Sequence, residues 1–485
     1  MNYRMVVFVL GRIFLVEAAM LLLPMTCSAI YGEWYMLPAF LLPAVILLLL
    51  GLAASLRTPK NTTIYARDGL AIVALVWVLM SAFGALPFVI SGEIPAFADA
   101  FFEMVSGFTT TGSTILNDVE ALSHGALFWR SFSHWVGGMG VLVFAMAVLP
   151  MTDGRAMHLM RAEVPGPTCG KLSSKLSDSA KILYGIYFAM TALEVVFLCA
   201  GGMSLYESLI HAFGTAGTGG FSNRGLSIGA YQNPYFEWVI GIFMLLFGVN
   251  FNLYYFILMR HFREAFGSEE LRAYLGIVLF STVTIAANIL TMVGSVGEAV
   301  RTAFFQVSSI ITTTGYATAD FNLWPTYSRI LLLVLMFVGG CAGSTAGGLK
   351  MSRVIIFFKA ARQDLNKMLH THAVTTIRFE GKPLDEKTLQ GVHNYFNVYM
   401  LLIMLSTVLV SLDGFDLTTT FTAVITCINN VGPGMELVGP MGNFSQFSAP
   451  VKYLLSFNML AGRLELYPML AMFAPRLWRS RRTMR

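Results

Sequence analysis

At 485 residues, with 56% hydrophobic and 12% charged residues and a formal net charge of +5, the chain carries about half the charge of an ordinary soluble protein. A mean hydropathy of +0.67 excludes a soluble globular enzyme and leaves no room for a separate soluble domain. The five cysteines (Cys27, Cys169, Cys199, Cys341, Cys427) are scattered and odd in number, without the spacing of a disulfide framework or a zinc site.

In chain order, the apolar N-terminus is interrupted by Arg12 and Glu17 and no small-residue cleavage site follows, so it reads as a retained helix rather than a cleaved signal. Apolar stretches predict ten spans, starting near Tyr3, Leu37, Gly69, Leu127, Ala180, Pro234, Leu271, Arg329, Val392 and Val451. Most reach the roughly 20 residues that cross a hydrocarbon core as helix. Most of the 32 Lys and Arg fall at one set of span ends: Arg4 and Arg12, Arg57 to Arg67, Arg155 to Lys181, Arg260 to Arg272, Lys350 to Lys387 and Arg476 to Arg485. The positive-inside bias places both termini in the cytoplasm.

Four of the outer connections each hold an apolar run too short to span. Aligned without gaps they read FFEMVSGFTTTGST from Phe101, LIHAFGTAGTGGFS from Leu209, FFQVSSIITTTGYA from Phe304 and FTAVITCINNVGPG from Phe421. Each carries glycine at the twelfth position (Gly112, Gly220, Gly315, Gly432) and Thr or Asn two residues earlier (Thr110, Thr218, Thr313, Asn430). A repeat at this scale implies repeated architecture. The predicted fold is an all-α polytopic membrane protein with four pseudo-repeats of helix, re-entrant pore helix, filter strand and helix around a central pore. Two extra N-terminal helices occupy 1–60, and the repeats cover 61–160, 161–265, 266–375 and 376–485.

A twelve-residue helix is about 18 Å long and reaches only partway into a bilayer. Irregular backbone at that depth survives only where protein buries it or water reaches it. Four such helices aimed at one axis present C-terminal ends of partial negative charge to a cation. Glycine beyond each end permits the positive φ that turns carbonyls toward the axis, where a carbonyl ring can replace a potassium hydration shell. Helix packing through Gly, Ser and Thr explains one such tract, but hardly four aligned copies.

These tracts, TTTGS, GTGGFS, TTTGYAT and NNVGPG, together with GSTAGGLK and GRLELYP, resemble the TrkH type of pore chain within the Trk, Ktr and plant HKT superfamily of potassium transporters. The resemblance covers nearly the whole chain. It implies ion-binding filter positions at Thr110, Thr111, Gly112 and Ser113, at Thr218, Gly219, Gly220 and Phe221, at Thr313, Thr314, Gly315 and Tyr316, and at Asn430, Val431, Gly432 and Pro433. Potassium is then the substrate held at these residues, no cofactor is bound by this chain, and glycine at Gly112 goes with potassium preference. No copy is a full TVGYG. The family also works as a homodimer with a separate cytoplasmic nucleotide-binding regulatory ring, TrkA-like, in the bacterial inner membrane.

The stretch Arg329 to Lys359 would be about 47 Å long as one helix, far more than a bilayer needs, and its centre, Gly339 to Gly348, is a poor helix former. No GK[ST] follows, which excludes a phosphate loop. The break reads either as a packing kink or, as in the family, as a gate beneath the filter formed by Gly343, Ser344, Thr345, Ala346, Gly347 and Gly348. Arg463, expected mid-span, reads either as an inward charge near that gate or as half of an ion pair elsewhere in the bundle. His370 and His372 lack metal-ligand company. The arginine-rich tail fits anionic lipid headgroups rather than nucleic acid, since no folded nucleic-acid module accompanies it. A coupled symporter is the alternative transport reading, but its ionisable midplane groups are missing from the four tracts. No HExxH or serine–histidine pattern supports an intramembrane enzyme.

Overall fold

A computed structural model describes residues 1–61, 64–140, 176–370 and 376–478. Cys169, His372, the far half of the fourth expected span and the arginines beyond Trp478 lie outside them. Tyr3–Met20 and Leu22–Ile30 form one N-terminal span of 28 residues, which packs against Leu37–Ser55. Small residues set the closeness of that crossing: a Cβ on Gly51 would sit 2.8 Å from the Gly11 carbonyl oxygen. The opposite face of Leu37–Ser55 exposes leucines such as Leu42 and Leu49, as a lipid-facing helix does.

Each repeat then supplies a first helix, a pore helix and a second helix. The first helices are Ala66–Ser91, Leu176–Ala200, Glu269–Val293 and Glu386–Val410. The pore helices are Phe97–Phe108, Leu205–Gly217, Val296–Ile311 and Leu417–Asn429. Ser204 and Asp416 cap the second and fourth of these, each accepting a hydrogen bond from the backbone three residues on. Each pore helix packs on the second helix of the preceding repeat, and the first pore helix closes the circle against the second helix of repeat four.

The second helices depart from expectation. The sequence predicts a break only in repeat three, where Thr326–Val338 and Met351–Leu369 flank the 339–350 segment. Repeat two is broken as well: Pro234–Phe247 and Phe251–Leu258 bend by 92°. Repeat four breaks after Ala449–Arg463, with Glu465 and Leu466 at φ of 60° and 63° before the short helix Tyr467–Ala471. The sixth and tenth spans are therefore not continuous helices, and Arg463 stands at a helix end rather than mid-span. In repeat one, regular helix ends at Gly138.

Partners from elsewhere explain these ends. In repeat two, the Gly248 carbonyl accepts from Cys341 N–H at 2.9 Å, and Phe251 N–H donates to the Gly343 carbonyl at 3.0 Å. The repeat-three loop thus satisfies backbone groups that a continuous helix would have paired internally. In repeat four the chain satisfies itself: Leu466 N–H reaches back to the Ala461 carbonyl at 2.7 Å, the bond that ends a helix at a left-handed residue.

Candidate ion pathway

The four pore helices end alike. The tenth residue of each tract is left-handed, with φ of 55° at Thr110, 55° at Thr218, 56° at Thr313 and 54° at Asn430. Its N–H donates to the carbonyl three residues back, at 3.1 Å to Gly107, 3.0 Å to Thr215, 3.1 Å to Ile310 and 3.4 Å to Cys427. The next N–H reaches five residues back, at 2.9 Å to Ser106, 2.8 Å to Gly214, 2.8 Å to Ser309 and 3.0 Å to Thr426. These paired bonds make a Schellman end, whose left-handed residue is usually glycine. A β-branched residue there is an outlier, and such strain gathers where function needs the side chain. Thr110, Thr218 and Thr313 carry it in three repeats.

Two residues on, Gly112, Gly220, Gly315 and Gly432 also have positive φ, at 83°, 76°, 86° and 99°. A Cβ on Gly112 would collide with the Gly219 carbonyl, one on Gly220 with Thr314, one on Gly315 with Val431, and one on Gly432 would sit 2.8 Å from the Thr111 carbonyl. Each glycine thus abuts the carbonyl just before the corresponding glycine of the next repeat, and the fourth returns to the first. The ring is closed. All four glycines, with Ser113, Phe221 and Pro433, line one cavity. Ser113 Oγ also donates to the Gly432 carbonyl at 3.0 Å. The side chains of Phe221 and Tyr316 also engage the surrounding helices: Phe221 lies against Arg130 and His134, and Tyr316 Oη donates to the His211 carbonyl at 3.1 Å.

Behind the filter lies a set of braces that sequence reasoning missed. The third tract position holds Glu103, His211 and Gln306, all fully buried, and Ala423 in repeat four. Glu103 accepts from Ile115 N–H and Thr114 Oγ at 2.9 Å each and from Arg130 Nε at 2.8 Å. Arg130 is 1% exposed and stacks over Phe221 at 4.0 Å, tying repeat one to repeat two. His211 Nε2 lies 3.1 Å from Ser222 Oγ, and Gln306 Nε2 donates to the Ala319 carbonyl at 3.4 Å. His134 joins the same wall: Nδ1 donates to the Gly107 carbonyl at 2.7 Å while Nε2 faces Phe221 N–H at 3.3 Å. The alignment contains a signal for these braces, a polar residue at one position of three otherwise apolar runs.

On the other side of the glycine ring, the 339–350 loop bonds directly to repeats two and four and meets repeat one through Arg463. Gly347 N–H donates to Thr313 Oγ at 2.6 Å, and Gly348 N–H to the Asn429 carbonyl at 3.0 Å. Thr345 Oγ donates to the Phe247 carbonyl at 3.1 Å, while Lys350 Nζ folds back onto the Ala346 carbonyl. Arg463 donates to the Thr345 carbonyl at 2.8 Å and to the Gly137 and Gly138 carbonyls at 2.5 and 2.6 Å. The predicted gate residues and Arg463 are thus brought together. Glu465 turns away to pair with Arg353.

Four re-entrant helices converging on one ring inside a bundle of apolar spans define a polytopic membrane transport protein. The chain belongs to the TrkH family of cation transport proteins, whose model matches residues 37–480. It is 38% identical over 422 residues to the Trk system potassium uptake protein TrkH of Escherichia coli K12, covering 86% of each chain. It is 33% identical over 485 residues to TrkG of the same organism, covering 99% of each. The crystal structure of the potassium transporter TrkH from Vibrio parahaemolyticus superposes with a TM-score of 0.88 at 30% identity, covering 99% of this chain and 100% of that one.

Proposed function

We propose that the chain carries potassium into a bacterial cell across the inner membrane, through a channel-like pore with a four-part filter at Gly112, Gly220, Gly315 and Gly432. The observation that carries this reading is the closed ring in which each glycine abuts a carbonyl of the next repeat. Such a ring supplies backbone oxygens to a dehydrated cation without a fixed charge that would trap it. The relatives' names as potassium uptake proteins support the choice of ion. The 339–350 loop is the gate, held across the path by Arg463, whose positive charge adds an electrostatic barrier.

Both termini are cytoplasmic in this reading. A TrkA-like nucleotide-binding ring docks on the basic segment Lys350 to Lys387, the chain works as a homodimer, and the arginine-rich tail meets anionic lipid. The test is purified protein in liposomes under bi-ionic potassium and sodium gradients. Current driven by voltage alone, with a potassium-selective reversal potential, is expected. An absolute requirement for a second ion would sink the channel-like reading in favour of a symporter.

A further inference from the structure

The gate loop has a second anchor besides Arg463, and it comes from the cytoplasmic side. Glu270, in the first turn of the first helix of repeat three, is 5% exposed. Its Oε1 accepts from Ala342 N–H, at the start of the loop, at 2.8 Å. The same carboxylate lies within electrostatic reach of Lys350 and of the first turn of the helix that resumes beyond the loop. One side chain therefore ties the loop to the first helix of repeat three. The start of Met351–Leu369 presents unsatisfied N–H groups and a partial positive charge, the surroundings that hold a carboxylate.

Glu270 is itself positioned by a small cytoplasmic hairpin. Arg378–Phe379 pairs antiparallel with Lys382–Pro383, and Glu380 and Gly381 form its turn at φ of 49° and 73°. Positive φ at both central residues is the turn geometry that matches strand twist. Glu380 Oε1 accepts from Ser268 Oγ at 2.8 Å and from Glu270 N–H at 3.0 Å, which caps the helix that carries Glu270. Lys359 Nζ donates to the Arg378 carbonyl at 2.7 Å and also pairs with Glu269. Phe379 is buried against Ile356 and Val392, so the hairpin also grips the helix below the loop.

We infer that Glu270 is a positioning residue for the gate loop and that the 378–383 hairpin is the handle that sets it. A displacement of the hairpin withdraws Glu380 from Ser268 and Glu270. That loosens the helix start from which Glu270 holds the loop at Ala342. The inference rests on the loop acting as the gate, and the experiment reads the latch and the gate separately. Cys341 adjoins Ala342 and is 1% exposed, so it reports on the loop once the other four cysteines are replaced.

Two readouts are taken in liposomes containing the full chain: the rate of Cys341 modification by a small thiol reagent, and rubidium uptake. Glu270→Ala is expected to speed modification at least tenfold and to raise basal uptake. Glu380→Ala, a change at an exposed turn checked for folding by size-exclusion recovery, should do both to a smaller degree. Glu270→Gln keeps one carbonyl acceptor and should fall between Glu270→Ala and wild type. Modification at the wild-type rate in both Glu270→Ala and Glu380→Ala overturns the latch, whatever the flux. Faster modification in Glu270→Ala alone overturns the handle, and faster modification in both variants with wild-type flux upholds latch and handle but overturns the gate reading on which the inference rests.

Discussion

The two sides of the filter glycines are built on opposite plans. At the glycine ring, four segments share one backbone plan: a left-handed residue at the same position, the same two capping bonds, the same glycine against the next carbonyl. Beneath it, the second helices of repeats two, three and four are broken in different ways, and the loop of repeat three bonds to repeats two and four and meets repeat one through Arg463. A site that coordinates an ion from all sides benefits from symmetry. The proposed gate needs only one movable part, for which the remaining repeats would serve as a frame. The contrast predicts that lesions at the filter are equivalent around the ring, whereas lesions below it are not.

The largest effect is expected at the glycines. An L-residue in the left-handed region costs about 1–2 kcal/mol, and the added Cβ also overlaps a neighbouring carbonyl. Gly112→Ser and Gly315→Ser should both lower the potassium-to-sodium permeability ratio, by about tenfold for each 1.4 kcal/mol lost. Reversal potentials measure this directly. Equivalence of the two variants supports the ring. If all four glycine positions tolerate serine in folded protein without change, the filter assignment fails.

Next comes the brace where the repeats are least alike. Repeat one uses the buried ion pair Glu103–Arg130, with Nη2 to Oε1 at 2.6 Å, where repeat four has only Ala423 at the matching position. Removing one partner of a buried pair costs about 3–5 kcal/mol, because the other charge is left uncompensated. Arg130→Ala should therefore lower thermal stability in detergent sharply, while Glu103→Gln with Arg130→Met should recover most of it. Ala423→Gly, by contrast, should be felt only as a small change in helix propensity, about 1 kcal/mol. Similar melting temperatures for Arg130→Ala and Ala423→Gly would show that the pair does not hold the filter wall.

The same contrast explains what could be read from the sequence. Gly112, Gly220, Gly315 and Gly432 were legible because fourfold repetition lifts a short pattern above the background of membrane glycines. The break at 339–350 was legible because ten residues containing five glycines make a poor helix. The breaks at 248–250 and after Arg463 were not. Their composition is ordinary, and what ends the helix in repeat two is a set of backbone partners from a loop some ninety residues away. Glu103 and Arg130 escaped for a similar reason. The partnership joins residues 27 apart across two helices, and no local period links them.

The smallest expected effect, and the one that most sharpens the reading of the lower half, is at Arg463. Its guanidinium reaches three carbonyls from two other repeats, Thr345, Gly137 and Gly138. In the proposed pathway two roles are superposed: a fixed charge beside the ion and a clamp on the loop. As a charge, it repels a potassium ion about 6 Å away by roughly 2.8 kcal/mol at an effective dielectric of 20. As a clamp, it contributes hydrogen bonds to a charged donor, about 1.5–3 kcal/mol each. Lysine separates the two. Its ammonium keeps the charge but lacks the planar fork that spans carbonyls on different chain segments. Arg463→Lys should leave basal rubidium flux near wild type if charge dominates, and raise it toward the Arg463→Ala level if the clamp does. The geometry favours the clamp, so Arg463→Lys is expected to leak by up to about tenfold, as loss of a single hydrogen bond of 1.4 kcal/mol would allow. Deleting Ala342 to Gly347 should leak more than either, because it removes the obstacle itself. A lysine variant as tight as wild type, beside a leaky alanine variant, would make Arg463 an electrostatic barrier alone and leave Glu270 as the principal anchor of the loop.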